Sequence, residues 1–195
     1  MPHPLSAESA TVSFRRYAQA LGKFVEAHDW SQVAPLALEM NRAWDQNRQV
    51  FICGNGGSAA NAIHWANDFI YPVAKKRIKG IRFSALAANP AVLTCLGNDL
   101  SYEDIFSYQL GTLAQAGDLL ILLSGSGNSP NILSAIAKAR SMDVTTAGLF
   151  GFDGGRALPL VDIKIHFPVH DMQLAEDLQM VVCHMLMRCL AENHA

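Results

Sequence analysis

The sequence predicts an α/β fold, a three-layer sandwich in which helices cover both faces of a five-stranded, mainly parallel sheet. Short apolar runs alternate with helical segments from Gln49 onward. The middle runs are also too continuously apolar for a sheet with one face in water, so they indicate strands covered on both faces. At 195 residues the chain suits a single domain. We expect residues 1–47 to form a helical extension that packs in an oligomer, and 48–195 to form the α/β core.

Helices are predicted at both ends of the chain. Apolar residues recur at helical spacing from Ser9 to His28 and again from Trp30 to Gln46. A further helix is predicted from about Gln173 to Glu192.

Five apolar runs predict the strands. They span residues 49–53, 81–86, 118–124, 144–150 and 162–167. The last run alternates Ile163 and Ile165 with Lys164 and His166, which is typical of a strand at the edge of a sheet.

The composition excludes disorder and indicates an oligomer. Half of the residues are hydrophobic and only 16% are charged, against roughly 25% in soluble domains. The net charge of −2 gives no general reason to expect nucleic acid or an anionic membrane as a partner. No stretch reaches the roughly 18 continuous apolar residues of a membrane span.

Cysteine usage and the N-terminal residues predict a cytoplasmic protein. Cys53, Cys95, Cys183 and Cys189 form no CxxC pair and are expected to be reduced thiols. The N-terminus lacks a basic start followed by an apolar stretch, so no export signal is expected.

One dense basic run contains Lys75, Lys76, Arg77 and Lys79. It is interpreted as a solvated loop, with a contact surface for a phosphorylated or acidic partner as the alternative.

The turn after the first strand has the sequence GNGGSAAN, from Gly54 to Asn61. Its glycines allow close backbone approach, and Ser58 is expected to cap the following helix. Free amides at a helix start favour an anion, and ligands of parallel sheets bind beyond the carboxyl ends of the strands.

The turn after the third strand has the sequence SGSGNS. Ser129 followed by Pro130 predicts a helix start. The hydroxyls of Ser124, Ser126 and Ser129 suit a sugar monophosphate, because the turn is neither a Walker loop nor a dinucleotide fingerprint. The alternative for both turns is a tight turn without a ligand.

Two further groups of polar residues lie on predicted helices. His64 and Asp68 are four residues apart and share a helix face, so they can ligate a metal or act as base and acid, although such spacing also arises by chance. Glu176 and His184 are eight apart, roughly 12 Å along a helix. Either they come from different subunits to one site, or one binds metal while the other faces substrate; a core role for His184 is the alternative.

Four motifs in order resemble the sugar isomerase (SIS) domain family, and within it the phosphoheptose isomerase branch. They are GNGGSAANAIHWANDF, GND at Gly97 to Asp99, SGSGNSPNI, and the final EDLQ with His184. The likeness covers essentially the whole chain.

The resemblance implies a homotetramer with active sites between subunits and one zinc ion at each site. It places the sugar phosphate at Asn55, Gly56, Gly57, Ser58, Asn98, Asp99, Ser124, Gly125, Ser126 and Ser129. It places the metal ligands at His64, Asp68, Glu176 and His184, and the catalytic groups at Asp68, Glu176 and His184.

This chain departs from the family pattern at several of these positions. Asp68 stands where the family commonly has glutamate, Glu176 where it has glutamine, and Tyr71 and Pro72 where an arginine is expected. Either the longer acid at Glu176 compensates for Asp68, or the site accepts a different sugar.

The activity implied is isomerisation of sedoheptulose 7-phosphate to D-glycero-D-manno-heptose 7-phosphate through an enediol, in bacterial heptose synthesis. Asp68 or Glu176 would be the base, and His184 the acid or a metal ligand. The alternatives are an isomerase of another phosphosugar, a sugar-phosphate sensor, and a non-catalytic relative that binds the replication initiator.

Overall fold

The computed structural model describes residues 5–75 and 79–193. Its residues divide into two compact units, one ending at Ser31 and the other beginning at Gln32. The first unit is built on helix α1 (Ala7–Ala27). None of the residues of α1 is buried; Phe14, for example, is 72% exposed. Ser6 and Ser9 cap its first turn reciprocally, so α1 begins where two orphan amides are satisfied.

The second unit contains all five strands. They are β1 (Gln49–Gly54), β2 (Arg82–Ala85), β3 (Leu119–Ser124), β4 (Thr145–Phe150) and β5 (Ile163–His166). Six α-helices accompany them: α2 (Ala34–Asp45), α3 (Gly57–Ile70), α4 (Pro90–Asp99), α5 (Ser107–Leu113), α6 (Pro130–Ser141) and α7 (Met172–Asn193). All five predicted strands are confirmed to within a residue or two at each end.

The sheet has the order β2-β1-β3-β4-β5, and every neighbouring pair is parallel. The chain therefore winds outward from β1 in one direction and from β3 in the other. Loops that leave β1 and β3 diverge at this switch point and open a crevice at the carboxyl edge of the sheet. β5 lies at the edge, as its alternating pattern predicted.

Helices cover both faces of the sheet. Every residue of β3 is buried, and alternate residues point to opposite faces. Leu120 and Leu122 pack with Phe106 of the segment before α5 and with Ile136 of α6 on one face. The other face is covered by α2 and α3, and α7 contacts both of these helices. The predicted three-layer sandwich is thus confirmed.

The cysteines and the basic run are placed as follows. All four thiols are free; Cys53 and Cys183 are buried, and burial raises the pKa of both. Of the basic run, Lys76 and Arg77 lie outside the described residues, whereas Lys79 donates to the Asn47 side chain at 2.7 Å. Among the described residues, no helix combines the length and apolar character needed to cross a bilayer.

Candidate functional site

A cleft of about 250 Å³ lies where the loops after β1 and β3 meet. It is lined by Asn55, Gly56, Gly57, Ser58, Leu123, Ser124, Gly125, Ser126, Ser129, Met172 and Glu176. The fold therefore gathers the glycine turn and the serine turn, which are distant in sequence, around one space.

The first loop turns sharply into α3. Gly56 is the N-cap residue, with φ of 56°, and the helix starts at Gly57. The expectation that Ser58 caps the helix is wrong: Ser58 lies within the first turn, and its buried hydroxyl accepts a hydrogen bond from Gln179 Nε2 at 3.0 Å. The start of α3 still borders the cleft, where helix-start amides favour an anion.

The second loop is shaped by its own hydroxyls. Ser124 Oγ accepts from the Gly127 amide at 3.0 Å, and Ser126 Oγ accepts from the Asn128 amide at 3.3 Å. Ser129 is the N-cap residue of α6 and Pro130 follows in the first turn, as predicted. The Ser129 side chain makes no capping hydrogen bond, so its hydroxyl is not committed to the helix.

A pair of asparagine side chains joins the two loops. Asn55 Nδ2 donates to Asn131 Oδ1, and Asn131 Nδ2 donates to Asn55 Oδ1, both at 2.9 Å. The Tyr102 hydroxyl also donates to Asn55 Oδ1, at 3.1 Å. Because the Asn55 amide is so engaged, it fixes the separation of the loops.

Helices α3 and α7 run side by side in the same direction. Asn61 Nδ2 donates to the Glu176 carbonyl and to Gln179 Oε1, both at 3.0 Å. Farther along both helices, His184 lies beside Asp68. The contacts thus advance together along the two helices, from the cleft toward their carboxyl ends.

Asp68 lies between two imidazoles. Its Oδ2 is 3.5 Å from His64 Nε2 and 3.8 Å from His184 Nε2. The two histidine rings meet edge to face with centroids 5.6 Å apart. The Asp68 side chain is 12% exposed, whereas those of His64 and His184 are about half exposed. His184 is therefore not a core histidine, because its ring reaches the surface.

This group of three fits a divalent metal. One ligand atom from each of His64, Asp68 and His184 lies within 4.8 Å of the others. Two imidazole nitrogens and a carboxylate oxygen are a donor set that zinc accepts, and the exposed imidazole side leaves room for a fourth ligand. Burial, and after it the nearby Asp68 charge, raises the pKa of the Cys183 thiol.

Glu176 is not in this group. Its carboxylate lies against Gly57, where an added β-carbon would overlap it. Of the two arrangements considered for Glu176 and His184, this placement corresponds to one residue near the metal group and the other facing the cleft.

Asn98 and Asp99 lie apart from the cleft. Both are exposed near the end of α4, where Asn98 Nδ2 donates to Asp99 Oδ1 at 2.7 Å. The other eight residues expected to bind substrate all line the cleft.

Sequence reasoning did not assign roles to Asn131, Met172 and Gln179. Asn131 and Gln179 are polar yet 1% exposed, and both stand inside the quoted motifs. A buried amide needs hydrogen-bond partners, so their position in otherwise apolar helical stretches was the available signal. Met172, whose sulfur would meet a β-carbon on Gly125, gave no comparable signal.

Comparison with known proteins decides the family. A family model described as the SIS domain matches residues 13–151. The chain belongs to the SIS domain family. Curated relatives of this SIS domain chain include the phosphoheptose isomerase of Helicobacter hepaticus, 41% identical over 71% of the chain and 70% of the relative. That of Helicobacter pylori strain Shi470 is 33% identical over 93% of the chain and 94% of the relative.

Solved structures share the fold. The phosphoheptose isomerase from Neisseria gonorrhoeae superposes with a TM-score of 0.85 at 25% identity, covering 96% of this chain and all of that one. A phosphoheptose isomerase from Francisella tularensis gives 0.84 at 24% identity, covering 97% and 100%.

Proposed function

We propose that this chain is a phosphoheptose isomerase that interconverts sedoheptulose 7-phosphate and D-glycero-D-manno-heptose 7-phosphate. The observation that carries the proposal is the arrangement along α3 and α7. A cleft of serine hydroxyls and glycine amides lies at one end of the helix pair, and Asp68 with two imidazoles lies farther along it. The names of the curated relatives support the same activity.

The spacing of the two parts suits a seven-carbon substrate. Gly57 and His64 are seven residues apart, roughly 10 Å along α3. Eight single bonds separate C1 from the phosphorus of a heptose 7-phosphate, and at the advance of an extended backbone they span roughly 9 Å. A phosphate in the serine loop thus leaves C1 and C2 near Asp68 and His184.

Proton transfer between C1 and C2 is the chemical step. We assign the base to Asp68, whose Oδ2 faces both imidazoles and whose Oδ1 accepts from Asn67 Nδ2 at 3.1 Å. Asp68 takes the proton from the carbon beside the carbonyl, and His184 protonates the carbonyl oxygen to give the enediol. Asp68 then gives its proton to C2 while His184 takes the proton of the O1 hydroxyl, which forms the aldose and restores both groups. Glu176, which borders the cleft, is the second candidate for the base.

The serine loop acts far from the reacting carbons. Its hydroxyls and the start of α3 hold the phosphate, so the binding energy of a remote group orients C1 and C2. The Asn55–Asn131 pair keeps the loops at a fixed separation, which favours one position of the phosphate.

The metal proposed is zinc, one per site, held by His64, Asp68 and His184. When bound, it supplies a Lewis acid that polarises the carbonyl oxygen. Glu176 was expected as a fourth ligand but its carboxylate lies toward Gly57, so we propose the three-residue set.

We further propose a cytoplasmic homotetramer with active sites between subunits. The apolar side chains that α1 leaves exposed and the low charge content support association. Asn98 and Asp99, which lie outside their own cleft, are then available to the site of a neighbouring subunit. Size-exclusion chromatography with light scattering measures the mass of the assembly in solution and so tests the proposed tetramer.

A non-catalytic role as an initiator-binding relative is not favoured. The acid, the base and the metal ligands proposed are all chemically competent, and the relatives reported above carry isomerase names.

One assay tests the function. Purified protein is incubated with ketose phosphates of five, six and seven carbons, with and without a chelator, and aldose formation is followed by NMR. We expect turnover of sedoheptulose 7-phosphate, reduced by the chelator and restored by zinc. Absence of aldose from every substrate contradicts the isomerase assignment, and turnover indifferent to the chelator contradicts the metal.

A further inference from the structure

A second polar cavity lies at the amino ends of the strands, whereas the cleft lies at their carboxyl ends. It has a volume of about 380 Å³ and opens where β1, β2 and β3 begin. Three glutamines and two arginines line it: Gln46, Gln49, Gln115, Arg48 and Arg82. β1 is six residues long, which at 3.3 Å per residue puts this cavity roughly 20 Å from the substrate loops.

Backbone carbonyls fix both guanidinium groups. Arg48 Nη1 donates to the Ala116 carbonyl and Arg82 Nη1 donates to the Asn47 carbonyl, each at 3.1 Å. The Arg48 guanidinium also lies over Gly117, where an added β-carbon would be 3.4 Å from its Cζ. Each guanidinium has five N–H donors, so both keep donors for a ligand after making these bonds.

The single acidic group lining the cavity is already satisfied. Asp118 is 4% exposed; its Oδ1 accepts from the Gln49 amide at 3.0 Å and its Oδ2 accepts from the Gln115 amide at 2.8 Å. Within the described part of the chain, neither arginine forms an ion pair with Asp118 or with any other carboxylate.

The remaining charge of the cavity is positive. Two guanidinium groups and one buried carboxylate line the cavity. The Lys79 ammonium does not line it but donates to the side chain of Asn47, which does. Asn47 itself has φ of 55°, so a left-handed residue turns its carbonyl toward Arg82 and its side chain toward Lys79. An anion with several acceptor oxygens complements this arrangement, because fixed guanidinium groups pair best with phosphate or carboxylate.

We propose that this cavity binds a phosphate monoester, with the phosphate between Arg48 and Arg82 and a hydroxylated body against the glutamine side chains. The cavity is separate from the isomerase cleft and does not depend on the function proposed above. A phosphate is favoured over a carboxylate because two arginines, one just before β1 and one at the start of β2, need more than two acceptor oxygens.

The test uses inorganic phosphate and the full chain. Ser126→Ala/Ser129→Ala serves as the background, so that the substrate loops contribute little. In that background, the midpoint of thermal unfolding is measured against phosphate at constant ionic strength set with chloride. A ligand that binds the folded state raises this midpoint saturably.

The arginines are then replaced in the same background. We expect Arg48→Gln/Arg82→Gln to raise the dissociation constant for phosphate at least tenfold. Arg48→Lys/Arg82→Lys keeps the charge but loses the planar, two-pronged guanidinium geometry, so it should raise the constant less. Arg140→Gln, on the exposed side of α6, is the matched control and leaves the titration unchanged. General stabilisation by phosphate acts on every variant alike, so only the difference between variants reports the site.

The proposal is overturned by equal saturable titrations of the parent and Arg48→Gln/Arg82→Gln proteins, or by a parent response that never saturates. If the glutamine variant does not fold, the lysine variant decides: a phosphate affinity unchanged from the parent also overturns it. In the chain with Ser126 and Ser129 intact, Arg48→Gln/Arg82→Gln is expected to leave isomerase activity without added phosphate unchanged.

Discussion

The carboxylate of Glu176 lies directly against the α-carbon of Gly57, at the start of α3 and within the cleft that the serine loop completes. A negative charge therefore borders the space proposed for a phosphate. Where this chain has Glu176, the family it resembles commonly has a neutral glutamine of similar size. The contact thus separates two roles for this residue, proton transfer and control of the charge in the cleft.

Replacing Glu176 by glutamine distinguishes these roles. We expect Glu176→Gln to keep kcat within about threefold and to lower the KM for sedoheptulose 7-phosphate, because repulsion between like charges is removed. Steady-state kinetics measures both constants. A loss of kcat of about 100-fold or more would transfer the base from Asp68 to Glu176.

Asp68→Asn and His184→Ala are each expected to lower kcat about 10² to 10⁴-fold. Each removes a proton carrier, and each also removes a proposed metal ligand. His28→Ala, in the first compact unit, is the control histidine change and should leave kcat unaltered. Light scattering checks that the oligomer persists; full activity in either site variant removes that residue from the mechanism.

Ser126→Ala together with Ser129→Ala should raise the KM for the phosphorylated sugar about tenfold or more, since two hydroxyl donors to the phosphate are lost. The kcat should fall less than kcat/KM if the loop mainly anchors the substrate. Initial rates over a range of substrate concentrations measure the split, and an unchanged KM would place the phosphate elsewhere.

The serine loop also requires a glycine at its centre. Gly127 has φ of 63°, and an added β-carbon would overlap the Gly154 carbonyl, which belongs to the backbone and cannot rotate away. We expect Gly127→Ala to lower the free energy of unfolding by about 2 kcal/mol or more. Gly97→Ala is the control, because Gly97 is helical with nothing near its missing β-carbon; it should be neutral or stabilise by about 0.5–1 kcal/mol. Urea unfolding compares the two, and equal stabilities would contradict this account of the loop.

The exposed thiol of Cys95 reports on its neighbour Asp99. Cys95 Sγ lies 3.5 Å from Asp99 Oδ2, and the hydrogen bond to that carboxylate, with its charge, raises the pKa of the thiol. Since a raised pKa leaves less thiolate, Asp99→Asn should increase the rate of Cys95 alkylation several-fold at pH 8. Peptide mapping by mass spectrometry measures it, with Cys189 as the internal reference. An unaltered Cys95 rate would show that the carboxylate does not control the thiol.

The sequence by itself determined the strands, the helices at both ends of the chain and the two loops that carry the cleft. Strands covered on both faces are nearly all apolar, so their runs stand out, and a Ser-Pro helix start or a glycine turn is a local property of the backbone. The pairing of His64 with Asp68 was also a local property, because residues four positions apart on one helix share a face.

Only the tertiary structure decided which distant residues meet. His184 reaches Asp68, and Glu176 instead reaches Gly57, because α3 and α7 pack in parallel and each turn of one helix faces a particular turn of the other. The reciprocal bonds of Asn55 and Asn131 likewise depend on two strands lying side by side. The arginine cavity forms because the amino ends of parallel strands lie together at one end of the sheet, just as the carboxyl ends lie together at the other. No local sequence pattern shows which side chains meet there.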